Sequence, residues 1–343
     1  MLNVINLGRD FIRRGELLIQ RVRLKQGRLK FMRITSMQRR KFLQLTAASG
    51  MTLAATGAST RLSAREPIVR SGPPRFQVGL AAYSLREYFS FMKGKARPPK
   101  DDGPHIDMVG FLDYCAQNGF DAAELTSYFF KPDADDAYYR NLKRHAFTRG
   151  VTIAGTAIGN NFTVGAGPKL DEEIQKAIAW IDRADALGAP HIRFFAGTGK
   201  QLASDPKRLD EAAAAINQCA EHAASKGIFL GVENHGKLSS DQMLQIMERV
   251  ESPWVGINLD TGNFQSDDPY GDLERCVPYA VNVQVKVGMK TPDGKHYDAD
   301  IPRIGRILRD GGYQGFVIVE YEDKDPYAKI PVVHQELRKA LGT

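Results

Sequence analysis

From Phe76 onward the chain repeats one unit: a helix-period stretch, a glycine, then a short apolar run rich in branched residues. The joints read QNGFDAAEL at Gly119, TRGVTIAGT at Gly150, ALGAPHIRFF at Gly188, SKGIFLGVE at Gly227 and DGGYQGFVIVE at Gly312. A glycine just past a helix supplies the left-handed conformation that ends it and turns the chain into the next strand. The first four joints fall roughly 30–40 residues apart, the mark of a repeated supersecondary unit. The period predicts eight strands, at residues 77–83, 122–125, 152–156, 191–195, 229–233, 256–260, 282–286 and 316–320. Helices are predicted between them at 108–118, 137–149, 172–187, 206–225, 242–250, 272–278 and 302–309. The strands are apolar almost throughout, as strands buried on both faces must be. Eight alternations point to a closed (β/α)8 TIM barrel of parallel strands rather than an open doubly wound sheet. The glycine-rich phosphate cradles GxGxxG and GxxxxGK[ST] are absent.

The segment ahead of the barrel reads as an address. Met37 to Ala58, MQRRKFLQLTAASGMTLAATGA, has a cationic start at Arg39, Arg40 and Lys41, a weakly apolar stretch, and small residues where a peptidase could cut. The arginine pair followed by Lys-Phe-Leu is similar to the twin-arginine signal of bacteria. Residues 37–64 are therefore expected to engage the twin-arginine export machinery and to send the protein to the periplasm or the medium. The stretch is too short and too rich in Gly, Ser and Thr to be a stable membrane anchor. Residues 1–36 form a basic leader, read as an over-extended start ahead of a true start at Met37, and otherwise as a long cationic extension. Residues 65–75 read as a linker, 76–335 as the barrel and 336–343 as a C-terminal tail.

Charge follows the same division. Residues 1–36 hold nine Lys/Arg against two acids, and residues 37–65 hold five cations and no acid. Of the net +7, the body from Glu66 carries −5. A mildly acidic body argues against a nucleic-acid surface. The three cysteines, Cys115, Cys219 and Cys276, lack metal-ligand spacing and read as buried thiols.

Four of the apolar runs carry an oxygen donor at their ends. Glu233 closes IFLGVE, Asp260 closes VGINLD, Gln284 lies inside VNVQVKV and Glu320 closes FVIVE. In a parallel barrel these ends converge on one mouth, where function is built. Hard oxygen ligands with few imidazoles suit Mn²⁺ or Mg²⁺, with Co²⁺ or Zn²⁺ as softer options. The competing arrangement is a plain ion-pair cluster, in which the carboxylates pair with Arg193 and Lys286.

The motifs VENHG, LDTGN, the V-x-V-K strand and the terminal V-E-Y-E resemble those of the xylose isomerase-like barrel family of sugar isomerases and epimerases. That family also includes endonuclease IV-type enzymes, whose histidine-rich sites and basic faces differ from this acidic, histidine-poor chain. The resemblance covers about residues 76–335. It implies metal ligands of the order Glu, Asp, His and Glu on strands 5 to 8. Glu233, Asp260 and Glu320 match, and Gln284 stands where a histidine is usual.

The same resemblance makes Glu233 and Glu320 the candidate catalytic bases, on opposite faces of a carbon next to a carbonyl. Removing its proton gives an enediolate that a cation stabilises. Opposed bases give epimerisation, and one base shuttling the proton gives isomerisation. A leaving group β to the carbanion turns the same apparatus into a lyase acting on 3-keto-glycosides. A non-enzymatic periplasmic sugar-binding barrel is the alternative from another class. His235, Asn263, Lys286, Arg193 and Glu124 are candidates for holding substrate, each weighed against a structural role. Phe129, Phe130 and Tyr128 offer a wall for a sugar ring or, alternatively, core packing. A small-molecule sugar is the expected partner, and homo-oligomerisation stays open.

Overall fold

A computed structural model of the protein describes residues 66–100 and 103–343. The basic leader and the twin-arginine segment lie outside the described residues. Eight parallel strands close on themselves: β1 (Arg75–Ala81), β2 (Ala122–Thr126), β3 (Thr152–Ala157), β4 (His191–Phe195), β5 (Phe229–Glu233), β6 (Val255–Asp260), β7 (Ala280–Val285) and β8 (Gln314–Val319). β1 closes the barrel by pairing with β8 on one side, Arg75 opposite Gln314, and with β2 on the other, Gly79 opposite Ala122. Every predicted strand is present, with ends displaced by at most two residues.

The helices pack outside, each with one apolar stripe against the strands. The helix Lys207–Lys226 buries Leu209, Ala212, Ile216, Cys219 and Ala223 along that stripe. It stops at Gly227, which takes the left-handed conformation (φ 70°). The helix Ser240–Arg249 starts in a capping box, with the Ser239 hydroxyl and the Gln242 side chain each satisfying the other's backbone N–H. All three cysteines are free and buried.

Several elements differ from the sequence reading. Residues 336–341, expected in a tail, continue the last helix, Pro326–Leu341. Ile330, Val333, Leu337 and Leu341 recur at helical spacing and are buried, which outweighs the helix-breaking tendency of Pro331. Two short antiparallel hairpins went unforeseen, Phe91–Met92 with Lys95–Ala96 and Gly288–Lys290 with His296–Asp298. So did the helix Gly199–Ser204 after β4. The presumed linker is tied to the end of the barrel where the strands start. Ile68 donates to the Pro278 carbonyl at 2.9 Å, and Gln314 Nε2 donates to the Ser71 carbonyl at 2.7 Å.

Inside the barrel, Ala81, Ala122, Ala154 and Ile318 form a small apolar cluster against Phe316. Across from them the His191 ring fills space that two glycines leave open. A Cβ on Gly231 would lie 2.2 Å from His191 Nε2, and one on Gly155 would lie 2.7 Å from Nδ1. Neither ring nitrogen has a hydrogen-bond partner among the described residues. Burial, helped by the nearby Arg193 charge, pushes the imidazole down from 6.5 to about 3. The unfolded chain therefore binds a proton that the native state refuses. Stability is unaffected above about pH 6.5 and falls as the pH drops below it, by about 1.4 kcal/mol per unit from this one group. In urea unfolding between pH 6 and 4, His191→Gln is expected to flatten the loss by about that slope. An unchanged slope would count against a buried neutral imidazole.

Candidate active site

The strand ends meet as the barrel requires, and hydrogen bonds and ion pairs join their side chains into one chain of contacts. Arg193 on β4 points across to β5, where its Nε lies 2.8 Å from Glu233 Oε2, and its Nη1 donates to the Ile158 carbonyl at 2.7 Å. Glu233 Oε1 accepts from Asn263 Nδ2 at 2.9 Å. Asn263 Oδ1 in turn accepts from Lys286 Nζ at 3.3 Å. The Lys286 ammonium then reaches three carboxylates: Asp260 Oδ2 at 3.1 Å, Glu322 Oε2 at 3.2 Å and Glu320 Oε2 at 3.8 Å. The acidic tips of β6 and β8 thus meet the amino group that leaves the end of β7, and the β5 tip, paired with Arg193, joins them through Asn263.

Local backbone contacts fix these positions. Asn234 holds Asp260 in place through a reciprocal pair, its Nδ2 donating to the Asp260 carbonyl at 2.9 Å and its Oδ1 accepting from the Asp260 N–H at 2.8 Å. The Gly262 N–H donates to Asp260 Oδ1 at 2.8 Å. Asp260 Oδ2 is buried, and among the described residues it accepts no hydrogen bond and pairs with Lys286 alone.

A second polar layer lies beside the first and explains Gln284. Its Nε2 donates to Glu124 Oε1 at 2.9 Å and its Oε1 accepts from Asn258 Nδ2 at 2.6 Å. Asn282 completes the layer by donating to Asn258 Oδ1 at 2.7 Å and to Glu124 Oε2 at 3.2 Å. The amide oxygen expected to face a metal is therefore engaged by Asn258, and Glu124 belongs to this buried network. His235 is exposed and stacks on Phe195 with centroids 4.2 Å apart, the ring that Arg193 also covers at 4.1 Å, and it feels the charges of Arg193 and Lys286.

Burial sets the protonation of these groups. It raises the Glu233 carboxyl to about 7, against the pull of Arg193, and raises Glu320 well above the usual range, against the pull of Lys286. It raises Glu124 as well, with Arg193 and the amide donors opposing. For Lys286, burial alone would lower the value, but Asp260, Glu320 and Glu322 outweigh it and hold the ammonium charged. Two carboxyls with elevated affinity for protons flank one permanent cation, an arrangement suited to moving a proton at a carbon whose neighbouring oxygen takes up charge.

Above this cluster opens a cleft of about 340 Å³, lined by Tyr83, Asn263, Lys286, Lys290, His296 and Glu322 among others. The Gly288–Lys290 hairpin forms one wall. Its His296 escaped sequence reasoning because it opens a three-residue strand, too short to carry a period. Of the aromatic residues after β2, two turn inward: Phe129 stacks on Phe89 at 4.3 Å, and Phe130 stacks on Trp180 at 5.9 Å, while Tyr128 stays half-buried. Phe129 and Phe130 are core and form no wall for a ligand.

A divalent ion was expected here, and the donor chemistry only partly fits one. Among the described residues no group of three or more His, Cys, Asp or Glu side chains is arranged as a metal site. Glu233, Asp260 and Glu320 are hard oxygen donors suited to such an ion, but Lys286 and Arg193 hold their oxygens as they stand.

The sequence matches the profile of the xylose isomerase-like TIM barrel over residues 112–340. No curated protein matches it. Among solved structures, a xylose isomerase domain protein from Planctomyces limnophilus superposes with a TM-score of 0.59 at 15% identity, covering 80% of this chain and 99% of that one. D-psicose 3-epimerase from Clostridium cellulolyticum H10, solved with D-tagatose, gives 0.56 at 17% identity, covering 78% and 97%. The probable 3-DHS dehydratase AsbF from Bacillus anthracis gives 0.55 at 16% identity, covering 78% and 99%. At these identities the likeness establishes the shared fold.

Proposed function

The chain belongs to the xylose isomerase-like TIM barrel family, and from that premise we propose that its mouth isomerises or epimerises a sugar or keto-sugar by removing the proton next to a carbonyl. The observation that carries this reading is the pair of buried, proton-hungry carboxyls, Glu233 and Glu320, linked through Asn263 and Lys286. The sugar enters by the cleft, where Asn263, Lys286 and Glu322 meet its hydroxyls and carbonyl. One carboxylate takes the proton from carbon while the positive charge beside it offsets the negative charge that develops on the carbonyl oxygen. The other carboxyl returns a proton, to the opposite face for epimerisation. A divalent ion, Mn²⁺ or Mg²⁺ first, would polarise the carbonyl if held by Glu233, Asp260 and Glu320. The elevated Glu320 carboxyl also favours a second reading, β-elimination from a 3-keto-glycoside, because a protonated group is at hand for the leaving oxygen.

The test is a screen of free pentoses, hexoses and their 3-keto glycosides in D₂O, followed by proton NMR. The expected result is a new epimer or isomer that carries solvent deuterium, or an unsaturated product that has lost the hydrogen next to the carbonyl together with its leaving group. Tight binding of a sugar with no product would instead mark a sugar-binding module. We also propose export by the twin-arginine route, on the strength of Arg39 and Arg40. A reporter fused to residues 37–66 should be exported and should lose export with Arg39→Lys and Arg40→Lys together. Undiminished export in that double variant would remove the proposal.

A further inference from the structure

The mouth is short of positive charge. Among the described residues, Arg193 and Lys286 are the cations that ion-pair with Glu233, Asp260, Glu320 and Glu322, while Arg86 and Lys290 also line the cleft. The two ion-paired cations differ in their freedom to move. Arg193 is buried and held at two points, by Glu233 and by the Ile158 carbonyl. Lys286 sits on a flexible four-carbon stem and bridges two sets of partners, the buried pair Asp260 and Glu320 and the outer pair Glu322 and Asn263. Asp260 Oδ2 is buried, and that ammonium is its one ion-pair partner among the described residues. An uncompensated carboxylate there would be costly, so some cation must stand beside it.

We propose that the Lys286 ammonium occupies the cation position of this mouth, and that a divalent ion binds only by displacing it from Asp260 and Glu320. The outer pair gives the displaced amino group a ready place, because Glu322 and Asn263 already touch it. An ammonium and a divalent ion a few ångströms apart repel too strongly to share the two buried carboxylates. The Gln284 amide fits this arrangement: with its oxygen bonded to Asn258 it adds nothing to the ion's hold, and the competition is decided by Lys286. The proposal rests on reading the mouth as a cation-assisted enolisation site, but its test uses no sugar and can fail independently of that reading.

The experiment titrates Mn²⁺ calorimetrically into the metal-stripped full chain, wild type, Lys286→Met and Lys286→Gln, and follows thermal unfolding of each with and without Mn²⁺. Both variants are expected to bind Mn²⁺ at least about tenfold more tightly than wild type, since a repelling charge has been removed. Mn²⁺ should raise their unfolding temperature well beyond any rise in the wild type. Variants that fold only with Mn²⁺ present support the proposal as well. Equal or weaker affinity in the variants overturns it. So does an absence of Mn²⁺ binding in both, or a failure of both to fold even with Mn²⁺. Tighter Mn²⁺ binding in the variants, with no wild-type activity on any sugar, would uphold the competition and sink the sugar reading alone.

Discussion

Replacing Arg193 by methionine is expected to destabilise the barrel by about 3–5 kcal/mol, because it leaves a carboxylate in a dry interior without its partner. Both side chains of the Arg193–Glu233 pair are all but inaccessible, at 6% and 4% exposure, so solvent cannot take over. The substitution also strands the Ile158 carbonyl, which loses a donor at 2.7 Å. Most of the loss should return in the double variant Arg193→Met with Glu233→Gln, where no unpaired charge remains. Urea unfolding of the two single variants and the double separates the coupling from the packing. A double variant as unstable as the sum of the singles would mean that the pair contributes packing rather than charge compensation.

Glu320→Gln and Glu233→Gln should each lower the rate of solvent-proton exchange into substrate by roughly 10²–10⁴-fold, the range removed with a positioned general base. Gln keeps the volume and a hydrogen-bonding acceptor, so both variants should fold, although Glu233→Gln leaves the buried Arg193 without its counter-charge and should be the less stable of the two. The wild-type rate should climb with pH through the region near 7, because burial raises the Glu233 carboxyl to about that value and only its ionised form accepts a proton. The Glu233→Gln variant should lose this part of the profile. A rate that falls with rising pH across the same region, or variants that exchange as fast as wild type, would assign the chemistry elsewhere.

The barrel was legible because its signal is local and repeated. Each run such as FVIVE or VGINLD declares a buried strand, and glycines such as Gly227 mark the joints where helices end. The polar strand ends were legible for the same reason, since periodicity fixes which residue of a strand reaches the mouth. What the sequence hid depends on partners distant along the chain. The commitment of Gln284 is set by Glu124, 160 residues earlier, so no local pattern reveals that its oxygen is already used by Asn258. Lys286 was visible as one cation near three acids, but its reach to Asp260, Glu320 and Glu322 together follows from barrel closure. The mouth hairpins were missed because two- and three-residue strands carry no period. The final helix was missed because Pro331 masks an apolar stripe that tertiary packing makes decisive.

The most direct test of the account follows a bound sugar and its exchangeable hydrogen in one sample. Wild-type protein and the Glu233→Gln, Glu320→Gln double variant are mixed with a keto-sugar in D₂O, with binding read by calorimetry and the C–H signal next to the carbonyl by proton NMR. Wild type is expected to erase that signal, while the double variant binds the sugar and leaves it intact. Sugar bound by wild type with the signal untouched, or erased equally by the double variant, would contradict it.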